Sequence, residues 1–497
     1  MRSRAFWPVL GATAVAVALA SLWFAAGYPG LIYDGWGYYK LAEILRGPGL
    51  RAWPSDVRAY GYALFEAAVT GFREHPPEEF RRIVFLSQLA VYLGACGLVA
   101  RRLGRIFASP RAGVVAYVLG ALNPILLLHT TEPLSDLLSA VLVLLAVAFV
   151  WRLPDASPRA LAWDPFWSFL CAGAAVAVRP ANLVVVGALA AAWAIRAWRW
   201  REVGGRGLIA AAAGLVPLFL PQVAINHALY GTYSPFIQKN LYSLQTSWGM
   251  AGLKYGTLVM PGRSPLLVYV NPWYAGDASP SAFLARDPIG YAATLLLHGF
   301  AMLDRDLPFT YVTDFDPWYR WPLSILNFGL LYLALAGFVL AWARWRRQER
   351  RLDEAGFVAL SAAGVAGAYV LLHLPVEVES RFGLPLLALA TPLIVAGWQA
   401  AREPRAARLV ALLAIPAIGA ALLLSGWVSR HRTNPAPNPP PAAAAESGAR
   451  NQLVGRGHGD RCFDGDAPPP GQQDARSQRE EKQGEGTRHP IGGGRLA

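Results

Sequence analysis

Cysteine is scarce in this 497-residue chain, and so is charge. The three cysteines are Cys96 and Cys171, inside apolar stretches, and Cys462, in a polar tail. That number and spacing exclude a disulfide framework and a cysteine metal site. Eight histidines fall singly, with no HxxxH pair. Only 15% of residues are charged, where a soluble domain carries about a quarter, so an ordinary cytosolic enzyme is excluded. Lysine is nearly absent, at 4 against 41 arginines, a codon bias of the kind a GC-rich bacterial genome produces.

Apolar residues make up 55% of the chain and fall into eleven blocks of membrane-spanning length. These are Phe6–Gly27, Ile83–Ala100, Ala112–Leu128, Leu134–Trp151, Leu161–Val178, Pro180–Trp198, Gly207–Ala228, Pro322–Ala343, Gly356–Leu374, Phe382–Ala400 and Leu409–Val428. Backbone polar groups in lipid must be satisfied within the segment, so each block is expected to be helical. The fifth carries Asp164 near its start and is divided from the sixth at Arg179-Pro180. The first block exceeds a signal-peptide core and reads as a retained anchor.

A net charge of +13 invites a nucleic-acid reading, but the arginines form no single patch. With the N-terminus in the cytoplasm, cytoplasmic segments collect Arg2 and Arg4, Arg101, Arg102, Arg105 and Arg111, Arg152 and Arg159, Arg196, Arg199, Arg201 and Arg206. They also take Arg344, Arg346, Arg347, Arg350 and Arg351, then Arg402, Arg405 and Arg408. Short outer loops hold little beyond Arg179 and Arg381, the positive-inside pattern. Arg81 and Arg82, at the outer end of the second span, break it. No nucleic-acid partner is expected; the partners are membrane lipids.

Two outer loops are long, residues 28–82 and 229–321, and both are rich in Trp, Tyr, Pro and Gly. Loops of this length are functional or disordered, and the aromatic content argues for structure. Trp36–Leu45 and Tyr60–Phe72 read as short helices, and Ile289–Leu303 as a helix along the membrane surface. The domain reading is a membrane domain over 1–429 and a disordered Pro/Gly/Arg-rich tail over 430–497.

Chemistry-bearing residues gather at the outer ends of spans. Asp34, among aromatics and two glycines, Gly35 and Gly37, that let a substrate approach the backbone, reads as a general base or as a helix cap. Arg58 beside tyrosines suits a phosphate or a snorkelling contact to headgroups. Glu132 is placed to line an outward cavity, while Asp136 reads as a cap. His373 to Pro385 holds Glu377, Glu379 and Arg381, which share one side if the loop is extended. Arg179 is lone, and Lys239, Lys254, Arg263 and Arg320 are too dispersed to rank.

Together these pieces resemble the bacterial integral membrane glycosyltransferases of the GT-C fold that use polyprenyl-phosphate sugars. This group includes protein mannosyltransferases, the aminoarabinose transferase acting on lipid A and lipopolysaccharide galacturonosyltransferases. The likeness rests on Asp34 followed by Tyr38-Tyr39-Lys40, Arg58-Ala-Tyr60-Gly-Tyr, Asn123-Pro124, Glu132-Pro-Leu-Ser-Asp136, Arg179-Pro180 and Glu379-Ser-Arg381-Phe-Gly-Leu-Pro385. It implies an all-α GT-C-like bundle of about 11 transmembrane helices with two large extracytoplasmic loops, in the inner membrane of a bacterium. The implied reaction moves a sugar, with inversion, from a polyprenyl-phosphate donor to an envelope lipid, glycan or protein. Asp34 would be the base. Arg58, Tyr60, Lys40, Glu132, Arg179, Glu379 and Arg381 would hold phosphate or substrate. Gly35 stands where many relatives have a second acid, and Phe382 where they have Tyr, which leaves a divalent metal open. A flippase would instead show broken helices at mid-membrane and inverted repeats, and a scaffold would leave Asp34 and Arg381 unexplained.

Overall fold

The computed structural model describes residues 2–27, 30–154, 157–200, 205–260, 263–307, 311–347, 353–401 and 404–434. The expected tail lies outside them from residue 435, as do Arg201, Arg350, Arg351 and Arg402. Among the described residues, eight helices are long and apolar enough to cross a membrane. Two shorter apolar helices, Ser135–Val150 and Ala162–Val178, join them. The chain is thus a mostly helical, multi-pass membrane protein.

Proline and polar caps set the helix boundaries. The expected third span divides into Pro110–Ala121 and Pro124–Leu128, because Pro124 has no amide hydrogen to continue the ladder. Asn123 Oδ1 caps the new start, accepting from the amides of Ile125 and Leu126 at 3.1 and 3.2 Å. Helix Pro158–Val178 similarly stops at Arg179, a short 3-10 turn covers Pro180–Asn182, and Leu183–Trp200 follows. The innermost helix, Leu384–Ala400, packs against Arg320–Arg347 through Gly337 and Gly397. A Cβ on either would strike the other helix's backbone, so small residues permit the close crossing.

One end of helix Ser135–Val150 is tied by a buried charge triad. Arg102 and Arg196 donate to the last carbonyls, Trp151 O and Val150 O, each at 2.8 Å. Between them lies Asp164, 3.2 Å from Arg102 and 3.4 Å from Arg196. The Asp164 that marks the fifth span therefore pairs with two buried arginines that the sequence alone assigns to cytoplasmic segments.

The opposite end carries both long loops, which touch through Lys239 N donating to Asp56 O. The first loop holds helices Asp34–Arg46 and Gly61–Val69, close to the expected pair. The second departs from an all-helical reading, because it builds a small sheet. Strands β1 (Gly252–Leu258), β2 (Leu266–Val270), β3 (Tyr311–Val312) and β4 (Arg432–Thr433) lie in the order β3-β1-β2-β4. β2 pairs antiparallel with β1 and β4, and β3 runs parallel to β1. β4 falls after residue 430, where the sequence reading starts the disordered tail. Beneath the sheet, Lys254 pairs with Asp304 and Asp306, and Tyr269, Ser425 and Ser429 donate to those carboxylates. Lys254 is thus a buried cornerstone of the loop. Helix Pro288–Ala301 occupies the stretch expected along the membrane surface, with Ile289 and Leu296 exposed.

Candidate active site

Asp34 opens its helix, so its carboxylate sits in the first turn, where the helix dipole favours negative charge. It caps nothing. Arg58 Nη2 donates to Oδ1 at 2.6 Å and Arg381 Nη1 to Oδ2 at 2.9 Å. The side chain remains 32% exposed, which leaves the carboxylate reachable from outside. Burial would raise its pKa, but the Arg381 and Arg58 guanidiniums outweigh that and hold it below the usual carboxylate range.

The sequence positions Arg58 by a short turn. Ser55 Oγ accepts from the Arg58 and Val57 amides, and buried Trp53 donates to Arg58 O at 3.0 Å. The guanidinium lies 5.1 Å from the Tyr38 ring centroid. It crosses the face of the Asp34 helix at Gly37, where a Cβ would collide with it. At Gly35, a Cβ would come within 3.2 Å of Pro133 Cγ. The two glycines therefore admit Arg58 and Pro133 rather than opening the backbone to substrate. The missing second acid at position 35 is matched by this tight packing.

Arg381 lies on the 3-10 turn Ser380–Gly383 and is shared among three carboxylates. Besides Asp34, its Nε donates to Glu379 Oε2 at 2.7 Å, and Nη1 is 3.6 Å from Asp136 Oδ2. Asp136, 1% exposed, also pairs with Arg179, whose guanidinium stacks 4.8 Å from the Phe382 ring centroid. The result is an alternating chain: Arg58, Asp34, Arg381, Asp136, Arg179. Burial raises the pKa of Glu379 despite Arg381, and the charge of Asp34 adds to the rise. Of the expected common face of Glu377, Glu379 and Arg381, the last two meet; the Glu377 carboxyl lies against Gly252 of β1.

Other sequence candidates fall elsewhere. Tyr60 is buried, and its hydroxyl donates to Leu218 O at 2.5 Å, so it packs the first loop rather than facing substrate. Lys40 is exposed and makes no ion pair with a described residue. Glu132 pairs with Arg81 at 3.0 Å, both almost fully buried, rather than lining an open cavity. This explains why Arg81 sits at the outer end of its span against the charge pattern. Gln88 fixes the same turn by donating to Thr130 O and Glu132 O. Because the turn carries Pro133 against Gly35, the Arg81–Glu132 pair supports the Asp34 turn from behind. Arg81→Met is expected to cost about 3–5 kcal/mol by stranding a buried carboxylate, with Arg81→Met/Glu132→Gln recovering part of it. Thermal denaturation of the detergent-solubilised variants measures this.

Asp136 is the residue the sequence undervalues, since an acid at a helix start looks like a cap. Its partners come from distant stretches, and no local signal links them. Near Asp34, the Tyr38 hydroxyl donates to Ser135 Oγ at 3.1 Å and the Tyr311 hydroxyl to Ile32 O at 3.3 Å. Among the described residues, no three His, Cys, Asp or Glu groups converge as a metal site. The carboxylates here alternate with guanidiniums, a donor set that does not fit a divalent cation.

No protein-family model matches the chain, and no curated protein matches it. Similar solved structures include the Archaeoglobus fulgidus oligosaccharyltransferase in its apo form, at 14% identity and a TM-score of 0.49. That match covers 92% of this chain and 61% of that one. The archaeal oligosaccharyltransferase AglB from Archaeoglobus fulgidus, in complex with an inhibitory peptide and a dolichol-phosphate, is similar at 13% identity and a TM-score of 0.44. Its match covers 91% of this chain and 60% of that one. ArnT from Cupriavidus metallidurans, in the apo state, is similar at 15% identity and a TM-score of 0.36, covering 80% of this chain and 78% of that one. The chain thus spans about three fifths of the length of the oligosaccharyltransferase structures it matches.

Proposed function

We propose that the chain is an inverting GT-C-type glycosyltransferase of a bacterial inner membrane, moving a sugar from a polyprenyl-phosphate donor to an envelope acceptor. The N-terminus lies in the cytoplasm, and the charged centre faces outward. The observation that carries this reading is the pair of guanidiniums on the two oxygens of one solvent-reachable carboxylate, Asp34.

The donor in this reading carries a single phosphate. Asp136 pairs with Arg179 and Glu379 with Arg381. A glycosyl phosphodiester brings one negative charge, which competes with Asp34 for the guanidiniums of Arg58 and Arg381. In the reaction the acceptor hydroxyl oxygen bonds to the anomeric carbon as the bond from that carbon to the phosphate oxygen breaks. The hydroxyl proton passes to Asp34, and polyprenyl phosphate leaves as a dianion.

The same competition times the base. Held by two arginines, Asp34 is a weak proton acceptor. A phosphodiester competing for those guanidiniums releases the carboxylate and raises its basicity only when donor is present. The arginines then stabilise the charge developing on the leaving phosphate.

Binding of short-chain polyprenyl phosphate, polyprenyl diphosphate and neutral polyprenol to the purified chain, with and without chelator, tests the reading. Phosphate is expected to bind tightest and to be indifferent to chelator. Equal affinity for polyprenol would overturn it.

A further inference from the structure

Tyr33, immediately before Asp34, has φ 44° and ψ −111°. This is the left-handed half of conformational space, where a Cβ is strained and glycine is the natural occupant. Among the described non-glycine residues only Phe72 and Ala108 share a positive φ, and both lie in turns that follow helices. Strain of this kind persists where the surroundings over-determine it, commonly at functional sites.

Tyr33 gains no burial in exchange. Its side chain is 44% exposed, and its hydroxyl bonds to no described residue. Its ring contact is with Tyr311, at 6.0 Å between centroids and 34° between planes. Tyr311 is buried and anchored by its hydroxyl to Ile32 O, the carbonyl just ahead of Tyr33. The second outer loop thus backs a strained, exposed aromatic ring beside the reactive carboxylate. A tyrosine that is strained, exposed and unbonded does little for the fold, whereas a flat aromatic face at this place suits the apolar C–H face of a sugar ring.

We infer that Tyr33 is the stacking platform for a pyranose ring at the reacting centre, an inference that rests on the sugar-transfer reading above. The pyranose belongs either to the donor or to a glycan acceptor, and one experiment separates the two.

Saturation-transfer NMR and affinity measurements on the full chain in nanodiscs use three probes: methyl pyranosides, short-chain polyprenyl phosphopyranosides and sugar-free polyprenyl phosphate. Wild type and Tyr33→Phe are expected to transfer saturation to ring C–H protons. Tyr33→Gly is expected to bind the pyranose probe on the order of tenfold more weakly. Its affinity for sugar-free polyprenyl phosphate stays unchanged, and its Tm is equal or higher because glycine relieves the strain. Loss with methyl pyranosides assigns the platform to the acceptor, and loss with the phosphopyranosides alone assigns it to the donor. Sugar binding retained in Tyr33→Gly, a parallel loss of polyprenyl phosphate, or no ring signal from any pyranose with wild type overturns the inference. Failure of polyprenyl phosphate to bind wild type instead strikes the phosphate site and leaves the pyranose result standing.

Discussion

Asp34→Asn is expected to lower sugar transfer by about 10³-fold or more, because the variant cannot take the acceptor proton. The same substitution should tighten the binding of polyprenyl phosphate. In the wild type both oxygens of Asp34 occupy the guanidiniums of Arg58 and Arg381. A phosphate must displace that carboxylate, whereas a neutral amide competes weakly for the same donors. Opposite signs for turnover and product affinity are the signature of a base that shares its cations with the leaving group. Consumption of a polyprenyl phosphosugar by membranes carrying the variant, together with a binding isotherm for polyprenyl phosphate, gives both numbers. A variant that loses turnover and phosphate affinity together would mean that Asp34 holds the arginines in place rather than competing for them.

Arg381→Lys is expected to be far more damaging than Arg58→Lys. Arg381 serves Asp34 and Glu379 through separate nitrogens and also lies beside buried Asp136. One ammonium cannot reproduce that fork. Arg58 has a single carboxylate partner and twice the side-chain exposure, at 24% against 12%. Loss of transition-state stabilisation at Arg381 should lower kcat/KM by about 10²–10³-fold. Leaving buried carboxylates short of a partner should also cost stability, up to about 3–5 kcal/mol. At Arg58, a lysine keeps the charge within reach of Asp34 and should retain most of the stability. Steady-state kinetics and thermal denaturation of the two variants side by side check the order. The reverse order would place the phosphate against Arg58 alone.

Membrane-spanning helices were legible because lipid demands long apolar runs, and so was the break at Arg179-Pro180. The break at Asn123-Pro124 was not, because the apolar run continues through it, although proline's missing amide hydrogen accounts for it. Asp34, Arg58 and Arg381 were legible too, as charges at span ends among aromatics. The small sheet was not. Two of its strands are two residues long, and β4 comes from a stretch whose prolines and small residues read as tail. Such short strands exist through pairing with distant partners, which local pattern does not encode. Asp136 was hidden for a related reason: its local environment satisfies a capping rule, and only the fold brings Arg179 and Arg381 to it. Tyr60 and Lys40 show the converse error. Each sits beside a charged motif in sequence, yet Tyr60 turns into the loop's apolar interior and Lys40 out to the surface. Gly35 and Gly37 read as openings for substrate, whereas they are the clearances that let Pro133 and Arg58 close around Asp34.

The most direct test of the central claim is mass spectrometry of lipids and envelope glycans from cells that carry the wild-type chain, Asp34→Asn or a deletion. The account predicts that both altered strains lose one sugar from one envelope component and accumulate the polyprenyl phosphosugar that supplies it. Envelope glycans and lipid-linked sugars identical in all three strains would contradict it.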